Sequence, residues 1–318
     1  MTKVDVAICV YGKPYNTAVT LASLIEHSGR HIGRIFMQQE KEQPHDESVQ
    51  YLPRCFPDVD IVHYVPKIHL GNARLDVRRY ANDADYRLSI RYQYAFESSR
   101  ENFLFVTHND CLFHSDVIGD MVTAVGTAFS GAGIIGQCWN CPAYFAGVCD
   151  GTRHEDYQPT YEEAIDVIRR FPSPRTSIES IDRQFPTSFP ECRLGEFACL
   201  INLAATRTHV VPQGAILPFG AMTADIGTTW FTDLRRIGHR FKDYRVGFKH
   251  APFSDGGAGD PANTQRLLYD AQEDGARTYL RQHYPATFDR VEVLRTLTTL
   301  LKGFDIGNTG QSVTQVTP

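Results

Sequence analysis

The residues best suited to chemistry stand at the end of one stretch, Phe103-Leu-Phe-Val-Thr-His-Asn-Asp110. Phe103 to Val106 carry no charge and have the aromatic and branched side chains of a buried strand. His108, Asn109 and Asp110 then follow in a row, before the apolar Cys111, Leu112 and Phe113. A carboxylate at the carboxyl end of a buried strand sits where open α/β sheets gather ligand chemistry. The alternative is an Asp110 that merely turns the chain or caps a helix. A second set is made of sulfur. The cysteines are Cys9, Cys55, Cys111, Cys138, Cys141, Cys149, Cys192 and Cys199. Cys138-Trp-Asn-Cys141 is a C-x-x-C, Cys149 follows it, and Cys192 lies further on. Thiolates so arranged suit a structural zinc, with His154 or Cys199 as a substitute ligand. The alternative is a set of buried free thiols.

The elements that position these residues follow from the apolar pattern. Of 318 residues, 42% are hydrophobic and 22% charged, which suits a globular protein with a sizeable core. A net charge of −5 does not favour a nucleic-acid-binding surface. No apolar run approaches membrane-spanning length, so no transmembrane segment is expected. The N-terminus enters an apolar strand at once, without the features of a secretory signal, so a cytoplasmic protein is expected. Val4–Val10 is a near-continuous apolar run, a buried strand. Tyr11-Gly-Lys-Pro14 breaks it, and a helix follows with Ala18, Leu21, Ala22, Leu24 and Ile25 on one face, up to Gly29. Strands are expected at 33–37, 59–65, 103–107 and 133–136. Helices are expected at 87–99 and at 115–129, the latter capped by Ser115. This rhythm is an α/β sheet, mostly parallel. Residues 138–190 are irregular apart from a helix at 161–170. Beyond them, 197–203 and 208–211 read as strands, 227–237 as a helix, 248–250 as a strand end, and 263–283 and 290–301 as helices.

Together these pieces resemble a GT-A-type glycosyltransferase of the family-2 kind. The resemblance covers roughly residues 4–250 and rests on four elements in order. They are the strand Val4–Val10 running into a polar loop, and the helix over 87–99 feeding a strand that ends in His108-Asn109-Asp110. After them come Asp225-Ile-Gly-Thr-Thr-Trp-Phe-Thr-Asp-Leu-Arg-Arg-Ile-Gly238, an acid opening a helix, and Phe248-Lys-His250 before a glycine loop. It implies a GT-A-like, Rossmann-like sheet flanked by helices over 1–260. Residues 137–200 would be a Cys-rich insertion, zinc-stabilised by Cys138, Cys141, Cys149 and Cys192. Residues 261–318, outside the resemblance, are expected to be a C-terminal helical extension with a flexible tail. Its helices would cover the sheet or pair two subunits in a homodimer.

The activity implied is transfer of a hexose-type sugar from a nucleoside-diphosphate sugar to a hydroxyl of a saccharide-type acceptor, metal-assisted and inverting, in polysaccharide biosynthesis. The family's Asp-x-Asp motif holds Mn2+ or Mg2+ on the diphosphate. Carried over, the ligands are Asp110, His108 and His250, with histidine in place of the first acid; histidine is itself a metal ligand. Asp225 corresponds to the base of inverting members, with Glu196 and Glu191 as second candidates; in a retaining enzyme one of these two would face the sugar. Tyr11, Gly12 and Lys13 would form the nucleotide loop, with Arg91, Asn109 and Asp110 at the diphosphate. Arg74 and Arg78, like Arg87 and Arg91, are four apart and would share a helix face. Surface ion pairs with Asp76, Asp83 and Asp85 suit most of them. Arg91, amid Ile90, Tyr94 and Phe96, is the exception, since an idle buried charge is costly. Two other readings stay open. One is a non-catalytic GT-A-like sugar- or nucleotide-binding module, favoured by His108. The other is a nucleotidyltransferase, for which Tyr11-Gly-Lys13 is a short phosphate loop.

Overall fold

The computed structural model describes residues 2–71, 76–136, 138–174, 176–186, 189, 192–223, 225–254 and 260–308. In chain order the strands are β1 (Val4–Val10), β2 (Ile32–Gln39), β3 (Ile61–Tyr64), β4 (Phe103–His108), β5 (Cys111–Phe113), β6 (Gly131–Ile135), β7 (Leu194–Asn202), β8 (Phe241–Asp243) and β9 (Phe248–His250). The helices are α1 (Pro14–Ser28), α2 (Val77–Asn82), α3 (Ala84–Leu88), α4 (Gln93–Ser98), α5 (Val117–Val125), α6 (Pro142–Phe145), α7 (Tyr161–Arg170), α8 (Leu203–Thr206), α9 (Thr228–Arg236), α10 (Arg266–His283) and α11 (Pro285–Asn308).

Seven strands form one sheet in the order β3-β2-β1-β4-β7-β6-β8. β1 is buried at every residue because helices cover both faces of the sheet, which is why it reads as an unbroken apolar run. It pairs parallel with β2 on one side and with β4 on the other. The chain order reverses there, so the carboxyl ends of β1 and β4 open a crevice of the kind in which α/β sheets bind ligands. β7 runs antiparallel to both its neighbours, β4 and β6, and β8 pairs parallel with β6. A separate ribbon is made of β5 and β9. One face of the sheet packs α1, α5, α10 and α11, with Ala276, Leu280 and Val291 buried in the same core as Val6, Ile8 and Leu21. The other packs α4 and α9, with Phe96, Trp230 and Phe231 against Ala7, Leu104 and Ile201. No helix among the described residues is long and apolar enough to cross a membrane.

The α/β class and the mostly parallel sheet follow the sequence expectation; several local elements differ. The helix expected over 87–99 is two short helices. Tyr92 between them takes φ 66°, and Arg91 forms a bridge with Gly220 instead of continuing a helix. A side chain at 220 would strike the Arg91 carbonyl, so glycine is required there. The cap of α5 is Asp116, not Ser115: its carboxylate accepts the Gly119 N–H at 3.1 Å. Residues 207–209 form a 3-10 turn where a strand was expected, and Val210 makes only an isolated bridge to Ile216. Strands β5 and β8, three residues each, carry too little pattern to read from sequence.

Candidate functional site

The crevice between β1 and β4 is built around a strained loop. Gly12 (φ 61°) and Lys13 (φ 52°) both take left-handed backbone as β1 turns into α1. A Cβ at Gly12 would stand 2.6 Å from Pro44 Cγ, which explains the glycine. The loop is tied at each residue. Gly12 N–H donates to Gln43 Oε1 at 2.6 Å, and Lys13 N–H donates to the Tyr269 hydroxyl at 2.7 Å. Asn109 Nδ2 donates to the Gly12 carbonyl and to Thr17 Oγ1, each at 3.0 Å. The outcome of this cradle is that Lys13, 4% exposed, places Nζ 2.8 Å from Oδ2 of Asp110, 6% exposed.

The other oxygen of Asp110 faces two imidazoles. Oδ1 lies 3.4 Å from His250 Nε2 and 3.9 Å from His108 Nδ1, and those two nitrogens are 3.3 Å apart. His250 arrives there because β9 pairs with β5, setting His250 opposite Cys111. On its far side, His108 Nε2 stands 3.3 Å from Glu196 Oε1 on β7. The remaining oxygen of Glu196, Oε2, is buried with no hydrogen-bond partner. Burial alone would raise the Asp110 pKa, but the Lys13 ammonium, then His250 and His108, hold it well below the carboxylate range. Burial also disfavours a charged His108, yet Glu196, followed by Asp110, raises its pKa. Burial works likewise against an ionised Glu196, and His108, Arg193 and Arg91 bring its pKa down.

This donor set fits a divalent ion. A proton on His108 Nε2 directed at Glu196 leaves the Nδ1 lone pair toward His250 and Asp110, the carboxylate–histidine arrangement that orients metal ligands. His108, Asp110 and His250 each offer a ligand atom within 4.8 Å of the others. Two imidazole nitrogens and one carboxylate oxygen suit a transition-type ion such as Mn2+ better than Mg2+, which prefers oxygen.

The structure distributes the remaining candidates around this centre. Arg91 Nε holds Glu40 Oε1 at 2.8 Å, and Glu40 is buried at the end of β2. Asp225 does not cap α9, whose N-cap is Gly227 at φ 80°. Instead its Oδ1 accepts from Arg193 Nη1 at 2.7 Å and from Ile226 N–H at 2.8 Å. Tyr11 is half-buried beside the loop. Glu191 and Arg74 lie outside the described residues. Cys138, Cys141, Cys149 and Cys192 line a cavity of their own. Three site residues escaped sequence reasoning. Arg193, between Cys192 and Leu194 where an apolar strand begins, was the legible one. Tyr269 and Glu273 reach α1 from α10, more than 250 positions away in sequence, and nothing local announces them.

No family model matches the chain, and no curated protein matches it by sequence. By structure it is similar to a mannosyltransferase from Pyrobaculum calidifontis in complex with GDP-Man and Mn2+, at 9% identity and a TM-score of 0.44, covering 98% of this chain and 76% of that one. It is also similar to core-mannan synthase A from Aspergillus fumigatus in an Mn/GDP form, at 11% identity and a TM-score of 0.45, covering 89% and 85%. A third likeness is to S. aureus TarS, residues 1–349, at 11% identity and a TM-score of 0.43, covering 91% and 72%. At these scores the likeness is one of general layout, and the chemistry rests on the side chains of the crevice.

Proposed function

We propose that the chain is a glycosyltransferase moving a sugar from a nucleoside-diphosphate donor to a hydroxyl of a saccharide-type acceptor. The observation that carries this reading is the convergence of His108, Asp110 and His250 at the carboxyl edge of β1 and β4, beside the Gly12–Lys13 loop. These three residues would hold a divalent cation, which when bound supplies Lewis-acid stabilisation of the departing diphosphate. Glu196 fixes the ring of His108. Lys13 and Arg91, each held on a buried carboxylate, add positive charge to the crevice. The loop over Tyr11, Gly12 and Lys13 is read as the nucleotide side. Asp225, oriented by Arg193, is read as the base that takes the acceptor hydroxyl proton in an inverting transfer. Eight cysteines without a disulfide suit the reducing cytoplasm that we assign.

Thermal stabilisation by a panel of GDP-, UDP- and dTDP-sugars, with and without Mn2+, tests this reading. One donor should raise stability only when Mn2+ is present, by about 2.7 kcal/mol at ~100 times its Kd. Asp110→Ala and His250→Ala should abolish the effect. No stabilisation by any donor in the presence of Mn2+ would refute it. One observation favours a second reading, a non-catalytic module: the buried Lys13–Asp110 pair satisfies the carboxylate without an ion. Stabilisation by a donor with no turnover, and no change in Asp225→Asn, would establish that reading instead.

A further inference from the structure

Away from the crevice, a cavity of about 30 Å³ is lined by Cys138, Cys141, Cys149, Cys192, His154 and Arg235, among others. The fold explains why the four thiols meet. β6 and β7 pair antiparallel with Ile135 opposite Leu194, and Gly136 N–H donates to the Arg193 carbonyl at 2.7 Å. The chain therefore leaves β6 toward Cys138 at the point where it enters β7 from Cys192. Cys141 N–H donates to the Cys138 carbonyl at 3.0 Å, closing the C-x-x-C turn. Cys149 N–H donates to the Ala143 carbonyl at 3.2 Å, which folds the third cysteine back over that turn. Gly151, at φ 78°, completes the enclosure: a Cβ there would meet the Ile135 carbonyl and stand 3.3 Å from Cys138 Sγ.

The size and chemistry of the cavity select its occupant. About 30 Å³ admits one ion or one water and no organic molecule. Among the described residues its lining holds no carboxylate, so hard cations find no oxygen ligands there. Four sulfurs with an imidazole alongside are the donors of a zinc site. As the side chains stand, the sulfurs line the wall without closing on one point; the one set of three ligands closed to within 4.8 Å among the described residues is His108, Asp110 and His250.

We infer that Cys138, Cys141, Cys149 and Cys192 bind a structural zinc ion, independent of the cation site in the crevice. The ion would pin the entry to β7 and with it Arg193 and Glu196. The site does not depend on the glycosyltransferase reading and is tested apart from it. The full chain, purified without added metal and passed over a chelating resin, should retain about one zinc per chain by elemental analysis. Titration with p-hydroxymercuribenzoate should release that zinc to a chromogenic chelator as about four thiols react. Cys141→Ser and Cys192→Ser should lower zinc to below about a tenth of an equivalent, while His250→Ala retains it. Zinc below about a tenth of an equivalent in the unaltered chain would overturn the inference, as would zinc lost with His250→Ala but kept in Cys192→Ser. Because the mercurial titration uses the unaltered chain, a variant that fails to fold leaves the test intact. Zinc release that precedes thiol modification would also count against it.

Discussion

Lys13 and Asp110 are both buried, and removing Lys13 takes from Asp110 its nearest positive charge. Lys13→Met should therefore destabilise the fold by about 3–5 kcal/mol in urea denaturation. The double variant Lys13→Met, Asp110→Leu should cost less than the sum of the two single changes; strictly additive costs would show that the pair is not coupled. The sequence displayed both residues but not their union. Lys13 read as a nucleotide-loop lysine and Asp110 as a metal ligand, because a contact spanning 97 positions has no local signature. Asp225 shows the same limit. It reads as the base of an inverting transfer, and only the position of Arg193 on the neighbouring strand end shows that its partner is an arginine.

At the scale of elements, α7 was legible from adjacent residues, the cap of α5 reads one residue early, and the start of α1 depends on a residue from elsewhere. Thr160 and Glu163 form a reciprocal capping box at the start of α7. Thr160→Ala should lower stability by about 1 kcal/mol, read by denaturation. The start of α1 has no such cap of its own. Glu273 of α10 supplies it, accepting the N–H groups of Tyr15 at 2.9 Å and Asn16 at 3.1 Å. Burial raises the Glu273 pKa from 4.5 to about 6, although the Asn16 and Tyr15 donors pull it down. A raised carboxyl pKa means that the fold prefers the protonated form. The group's contribution is fully present below pH 4.5 and is lost as pH rises through about 6. From about pH 3.5 to about pH 7 the unaltered chain should lose about 2 kcal/mol relative to Glu273→Gln, measured as the pH dependence of the denaturation midpoint. Parallel pH curves for the two proteins would contradict the assignment.

For the whole molecule, β1 and β4 were readable because they are buried almost throughout and spell apolar runs, while β2 and β3, less buried, were still marked by branched apolar residues. Beyond β4 the sequence showed β6 and β7 with shifted bounds and β9 in place, and missed the three-residue β5 and β8. The boundary near 260 expected from sequence falls just before helices that pack Ala276, Leu280 and Val291 into the core of β1 and α1, and that bond the backbone of the Gly12–Lys13 loop. Deleting those helices exposes this core and removes the Tyr269 hydroxyl from Lys13 N–H, a loss comparable to a domain's whole stability of about 5–15 kcal/mol. A chain ending at residue 264 should show no cooperative thermal transition by circular dichroism. A transition with the full-length midpoint would show that the N-terminal part folds alone.

β7 is reversed against its neighbours, and this has a consequence for how such a protein can diversify. A strand that runs the other way begins where the others finish, so the 58 positions from 136 to 193 leave the sheet and return to it at one rim. That rim is the one on which His108 and Glu196 meet. Within it, 158–174 lies between Cys149 and the re-entry at Arg193, so a change of length there leaves the pairing of β1, β2 and β4 as it is. The outer lip can thus vary in length without moving the carboxyl ends of β1 and β4.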